Sequence, residues 1–128
     1  MRILIVDDNM LFRMISSEVF SSFGNCETAK DGIEAMSMFE NAIINNMGYD
    51  LVCLDVVLPI YSGFRILEEI RDYEKANKIK RTKVVMMSGM DDSNTINKAL
   101  NEGADYFFVK PLNKKEIEKF IKDNFNNE

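Results

Sequence analysis

Five short apolar runs alternate, without exception, with five stretches of helical period, and no other feature of the chain restricts its fold as tightly. The runs are "RILIV" at 2–6, "CETA" at 26–29 (the weakest), "LVCLD" at 51–55, "KVVMM" at 83–87 and "YFFV" at 106–109. The first, third and fourth are almost continuously apolar, as strands covered on both faces must be. Strict strand–helix alternation implies right-handed crossovers, which make the sheet parallel and put helices on both of its faces. The expected fold class is α/β: a doubly wound, five-stranded parallel sheet with five helices. A chain of 128 residues is expected to form one domain, spanning 1–128, around a single substantial core.

The helical stretches carry their own punctuation. Leu11, Ile15, Val19 and Phe23 fall on one helix face, and Gly24 follows as a stop signal. Asp31 and Glu34 form a capping pattern ahead of Ala35, Phe39, Ala42 and Ile43. Ser62 can cap a helix that turns Phe64, Leu67 and Ile70 inward, and Ser93 can cap a fourth helix with Ile96 and Leu100, ended by Gly103. Asn113 and Glu116 open the last helix, with Ile117, Phe120 and Ile121 on its buried face. Residues 45–50 and 75–82 are expected to be polar surface turns.

In a sheet of this type ligands bind beyond the carboxyl ends of the strands. Four of the runs end on chemically pointed residues: Asp7 and Asp8 after the first, Asp55 closing the third, Ser88 after the fourth and Lys110 after the fifth. Each has a bland alternative. Asp8 or Asn9 can cap the next helix, Asp55 a turn, Ser88 the fourth helix, and Lys110 can be a solvated lysine before Pro111. Jointly, those alternatives leave unexplained why every polar end points to one edge. Three carboxylates with one lysine make a net negative pocket, which asks for a divalent cation. The chain has no histidine, so His-based nucleophiles, bases and metal ligands are excluded. Oxygen-only ligation suits Mg2+, which keeps several waters and accepts a phosphoryl oxygen.

The remaining totals bound the partners and the setting. A formal charge of −5 argues against direct contact with duplex nucleic acid, which needs clustered Lys and Arg. The apolar runs are too short to span a bilayer, and "MRILIVDD" has no signal-peptide core, so no membrane partner and a cytoplasmic location are expected. Cys26 and Cys53 fit no zinc site and are expected as two buried, reduced thiols.

"ILIVDDN", "LVCLDVVLPIYSG", "VVMMSG" and "GADYFFVKP" together resemble the successive signatures of the response regulator receiver domain, in the family's order and over nearly the whole chain. The resemblance implies a flavodoxin-like sheet of strand order 2-1-3-4-5. It implies Asp55 as phosphoacceptor, Asp8 as direct magnesium ligand, Asp7 as its partner acting mostly through water, and the backbone carbonyl of Val57 as a third protein ligand. It further implies Ser88 as the switch hydroxyl, Lys110 as the family's lysine at the phosphoryl group, and Phe107 as the switch aromatic. The phosphoryl group would come from a phosphohistidine of a sensor kinase or histidine phosphotransfer protein. The response would be a change in the face made by the fourth helix, fifth strand and fifth helix, read by a downstream protein target. Ser88 would draw its loop toward the phosphoryl group, opening space into which Phe107 can rotate. On this reading the domain catalyses only its own phosphorylation and dephosphorylation and is not a conventional enzyme.

The chain departs from the family at Leu58, where methionine is frequent, and at Ser62, where aspartate is frequent; Pro59 and Gly63 keep their places. Val57 and Met90 stand where polar residues are common near the phosphoryl group, which bears on its lifetime. Three rival functions fit less well. An aspartate-nucleophile phosphatase needs a carboxylate two residues beyond its nucleophile, and that position is Val57. A flavin or nucleotide binder needs a glycine- or hydroxyl-rich loop after the first strand, where "DDNM" repels phosphate. An inert scaffold has no use for the full set of Asp7, Asp8, Asp55, Ser88 and Lys110. A chain acting by protein contact and a receiver belonging to a longer kinase or transcription factor both fit the sequence.

Overall fold

A computed structural model describes residues 1–90 and 92–125. The strands and helices follow in the predicted alternation: β1 (Arg2–Val6), α1 (Met10–Phe20), β2 (Asn25–Ala29), α2 (Gly32–Ile44), β3 (Leu51–Asp55), α3 (Gly63–Asn77), β4 (Lys83–Ser88), α4 (Ser93–Asn101), β5 (Tyr106–Val109) and α5 (Lys114–Phe125). All strand pairs are parallel and the order is β2-β1-β3-β4-β5. Because successive side chains alternate across a strand, each interior strand feeds two cores. Leu4, Val6, Val52, Leu54, Val84 and Met86 pack with Phe39 of α2 and Ile66, Leu67 and Ile70 of α3. On the other face Ile3, Ile5, Leu51, Cys53, Val85 and Met87 pack with Phe20 of α1 and Ile117, Phe120 and Ile121 of α5. β2 lies at the sheet edge and buries only Ala29, which is why its run is so weakly apolar.

Several local expectations held. Asp31 accepts a hydrogen bond from the Glu34 N–H at 2.8 Å, and Glu34 accepts one from Lys30 N–H at 3.0 Å. Asn113 accepts from the N–H groups of Lys115 and Glu116. Gly103 leaves α4 at φ +110, a conformation that side chains rarely adopt.

Others need correction. α1 turns in Ser16 and Phe20, while Leu11 and Ile15 are 61% and 43% exposed and Val19 and Phe23 are only partly buried. Its first six residues, "MLFRMI", are apolar on nearly every side, so periodicity could not select a face. Packing selected it, through Phe20 edge-on to Phe108 at 6.4 Å between ring centroids. Gly24 does not stop the helix, which ends at Phe20; a Cβ there would lie 2.3 Å from the carbonyl oxygen of Met1. Asp92, not Ser93, caps α4, and Ala99 rather than the 45% exposed Leu100 takes its buried position. Ser62 occupies the cap of α3 without a side-chain hydrogen bond. The turn at 45–50 contains buried Tyr49, and α3 runs on to Asn77 before a left-handed Lys78. Cys53 is buried but Cys26 only half-buried, because β2 is an edge strand.

Candidate functional site

The sheet register sets the site. Val6 pairs with Leu54, Asp55 with Met87 and Ser88 with Val109, so the residues following β1 and closing β3, β4 and β5 come level at one edge. Gly63 allows the chain after β3 to turn back tightly, since a Cβ there would meet the Asp55 carbonyl oxygen at 2.1 Å. The Lys110–Pro111 peptide is cis, and Lys110 N–H donates to Ser88 O at 2.8 Å.

Carboxylate oxygens of Asp7, Asp8 and Asp55 all lie within 4.8 Å of one another. Asp7 is wholly buried and Asp55 nearly so, whereas Asp8 is exposed. Lys110 Nζ donates to Asp7 Oδ2 at 2.9 Å and to Asp55 Oδ2 at 3.1 Å, tying the two buried carboxylates together. The second oxygen of Asp7 accepts from Asn9 N–H at 2.9 Å. Both Asp7 oxygens are thus engaged, while among the described residues no hydrogen bond or ion pair engages Asp8. Asn9 also caps α1 through Phe12 N–H, and Arg13 donates to the Asp7 carbonyl oxygen at 2.8 Å.

The charges are balanced against burial. Desolvation pushes the Asp55 carboxyl above its ordinary value, helped by the negative charge of Asp7 and opposed by Lys110 and Val57 N–H. Burial works against the Lys110 ammonium, but its bonds to Asp7 and Asp55 outweigh it and hold the lysine above its usual range. The ring of Phe12 lies 4.5 Å from Lys110 Nζ, adding a cation–π contact that no sequence signal announced.

Ser88 is buried at the end of β4, where its Oγ accepts from Met90 N–H at 3.0 Å and makes no bond to the carboxylates among the described residues. Phe107 is buried too, within the core beneath α4 that contains Ala99 and Ala104. A phenylalanine has no hydroxyl to hold it in water, so burial is its favoured state. The ring expected to rotate as the Ser88 loop moves is thus seen in a buried position. Val57 and Met90 flank the site at 61% and 42% exposure.

Residues 3–122 match the family model of the response regulator receiver domain. The chain belongs to the response regulator receiver family. It is 31% identical over 118 residues to the chemotaxis protein CheY of Treponema pallidum, covering 91% of this chain and 76% of that one. A solved CheX–CheY–BeF3–Mg2+ complex from Borrelia burgdorferi superposes with a TM-score of 0.82 at 29% identity, over 97% of this chain and 88% of that one. The receiver domain of Ssk1 from Saccharomyces cerevisiae, solved with the histidine phosphotransfer protein Ypd1, gives 0.81 at 29% identity over the same shares. The receiver is thus of CheY type, and its family works in two-component signalling as phosphoacceptor switches rather than as conventional enzymes. The acidic cluster suits the magnesium typical of the family. Among the described residues no helix is long and apolar enough to cross a membrane.

Proposed function

We propose that residues 1–128 act as a single cytoplasmic receiver that accepts a phosphoryl group on Asp55 from a phosphohistidine and passes the signal to a protein target. The observation that carries this reading is Lys110 bridging Asp7 and Asp55 while the Asp8 carboxylate stands open beside them. In the transfer, an Asp55 carboxylate oxygen bonds to phosphorus as the donor P–N bond breaks, and the electron pair leaves with the imidazole nitrogen. Lys110 neutralises a phosphoryl oxygen once it is attached, and Ser88, whose Oγ accepts from Met90 N–H, donates its O–H to the phosphoryl group. Mg2+, when held by Asp8 and Asp55 directly, Asp7 through water and the Val57 carbonyl, supplies charge neutralisation at the phosphoryl oxygens. The signal leaves through the α4–β5–α5 face, with the Ser88 loop and Lys110 as coupling groups.

The donor is a sensor kinase or a histidine phosphotransfer protein. Exposed Met10, Leu11, Met14 and Ile15 on α1, immediately after the acidic pair, offer an apolar surface for such a protein. The yeast relative solved with its phosphotransfer protein supports this reading. The test is to incubate the receiver with acetyl phosphate or phosphoramidate and Mg2+ and map the label by mass spectrometry. Label is expected on Asp55 and absent from Asp55→Asn; label persisting in that variant overturns the assignment. Val57 and Met90 cannot orient an attacking water well, so loss of label should be slow and should quicken in Val57→Asn and Met90→Glu.

A further inference from the structure

Helices α2 and α3 lie side by side on one face of the sheet and leave an open groove between them, with a volume of about 600 Å³. Its floor is apolar: Met36 of α2, Tyr73 of α3 and Tyr61 of the β3–α3 loop, with Ile33 projecting at 59% exposure. Its rim is acidic: Glu40 on one side, Glu69 and Asp72 on the other. No lysine or arginine lines it. The neighbouring cation, Arg65, is spent on the Tyr61 ring at 4.2 Å and on Glu69 at 3.7 Å. Gly32 lets α2 approach α3 this closely, since a Cβ there would meet the Ile66 side chain at 2.7 Å.

A second observation lies beside the groove, next to Tyr61, rather than in its lining. Ile60, the residue before Tyr61, is 71% exposed and sits at φ +70. A β-branched residue in the left-handed region is strained, and glycine or asparagine would relieve it. Here the strain is spent on holding an aliphatic side chain in water, which gains nothing for folding. Such a residue makes sense where the exposed side chain meets something.

We propose that the α2–α3 groove is a docking site for a basic amphipathic helix of a partner protein, with Ile33 and, beside its Tyr61 end, Ile60 as its apolar anchors and Glu40 and Asp72 as its charge contacts. An apolar floor between acidic rims matches a helix with an aliphatic stripe flanked by Lys and Arg. The lining runs over residues 32–40 of α2, about 12 Å at 1.5 Å per residue, which matches roughly two turns of a ligand helix. A second copy of this acidic chain would bring like charges together, and an anionic lipid or nucleic acid surface would be repelled. Its Ile33 and Tyr61 end borders the loop that follows Asp55, but the groove uses none of Asp7, Asp8, Asp55, Ser88 or Lys110 and no residue of the α4–β5–α5 face, so it does not depend on the proposed function.

The probe is a synthetic amphipathic helix with a leucine stripe flanked by lysines, compared with the same peptide carrying glutamate at each lysine. Binding is followed by fluorescence anisotropy at several salt concentrations and mapped by amide chemical shifts on the intact receiver. The basic probe is expected to bind, to shift α2, α3 and residues 60–61, and to weaken with salt; the acidic probe is not. Glu40→Lys with Asp72→Lys should weaken the basic probe at least tenfold. The control Glu18→Lys with Glu118→Lys makes the same change in net charge on other surfaces and should leave affinity within about twofold. Ile60→Gly, which relieves backbone strain rather than adding it, should keep the fold and still weaken binding several-fold. Equal losses from the groove and control pairs, shifts centred on another face, or an Ile60→Gly variant that binds as the parent does would each overturn the proposal.

Discussion

Lys110 is the residue on which the local electrostatics turn. Its ammonium is 13% exposed and lies between carboxylates that are 1% and 11% exposed. Removing one member of such a group leaves uncompensated buried charge, which destabilises by several kcal/mol. Lys110→Met should therefore lose about 2–3 kcal/mol in metal-free buffer. The loss should shrink when magnesium is added, because the cation replaces the missing charge. Urea unfolding with a chelator and with magnesium measures both; equal losses would show that the carboxylates do not need a counter-charge. Tyr49 makes a different residue-scale case. Its hydroxyl donates to Glu27 Oε1 at 2.6 Å, and the Arg2 guanidinium lies 4.6 Å from its ring centroid. Burial first, and then the bond to Glu27, push its pKa up to about 12. The folded state thus favours the neutral phenol. That stability is fully present below the ordinary tyrosine value of about 10 and is lost as pH rises toward 12. Glu27 is shifted the other way, downward, by its bonds to Tyr49 and Arg2, so its contribution is lost on acidification. Tyr49→Phe should flatten the alkaline limb of the stability–pH curve and weaken the acid limb. Unchanged limbs would remove this residue from the account.

At the scale of elements, the joint between α3 and the far strands is a polar network. Glu74 is buried, accepts from Arg71 at 2.9 Å and from Thr82 N–H at 2.6 Å, and so ties the end of α3 to the chain entering β4. Arg71 also donates to the Gly103 carbonyl and to Asp105, which in turn accepts from Val84 N–H. One guanidinium therefore holds α3, the α4–β5 turn and the start of β4 together. Arg71→Ala should cost about 3 kcal/mol by stranding buried Glu74, and Glu74→Gln less, since the amide can still accept from Thr82. Denaturant midpoints at neutral pH decide this, and a larger loss from Glu74→Gln would reverse the assigned roles. Nothing in the sequence singled out these residues. They lie 3 and 34 positions from Arg71, and only the crossover brings Asp105 back to it.

Over the whole molecule, stability should follow position in the sheet. β1, β3 and β4 are paired on both sides and buried on both faces, whereas β2 has one neighbour and one buried residue. α1 contributes only Ser16 and Phe20 as buried residues. Amide exchange should be slowest in the three central strands and markedly faster in β2 and α1. Protection of α1 equal to that of β3 would mean that its exposed apolar face is covered in solution.

The fold class and the edge on which the chemistry lies were legible in the amino-acid order alone, and the strand order through the family resemblance. These follow from rules that act over a few residues: apolar runs, helix caps and the polar residue closing each strand, joined by a topology that leaves little choice. Which face α1 turns inward was settled only by packing, because the apolar first turns of that helix offer more than one face to bury. Packing also placed Phe107 in the core and Phe12 over Lys110, since both depend on what space the neighbouring elements leave. The α2–α3 groove and the Arg71 network exist only once distant segments meet. Each is a property of juxtaposition, set by packing and desolvation between residues far apart in the chain, and local sequence carries no record of those distances.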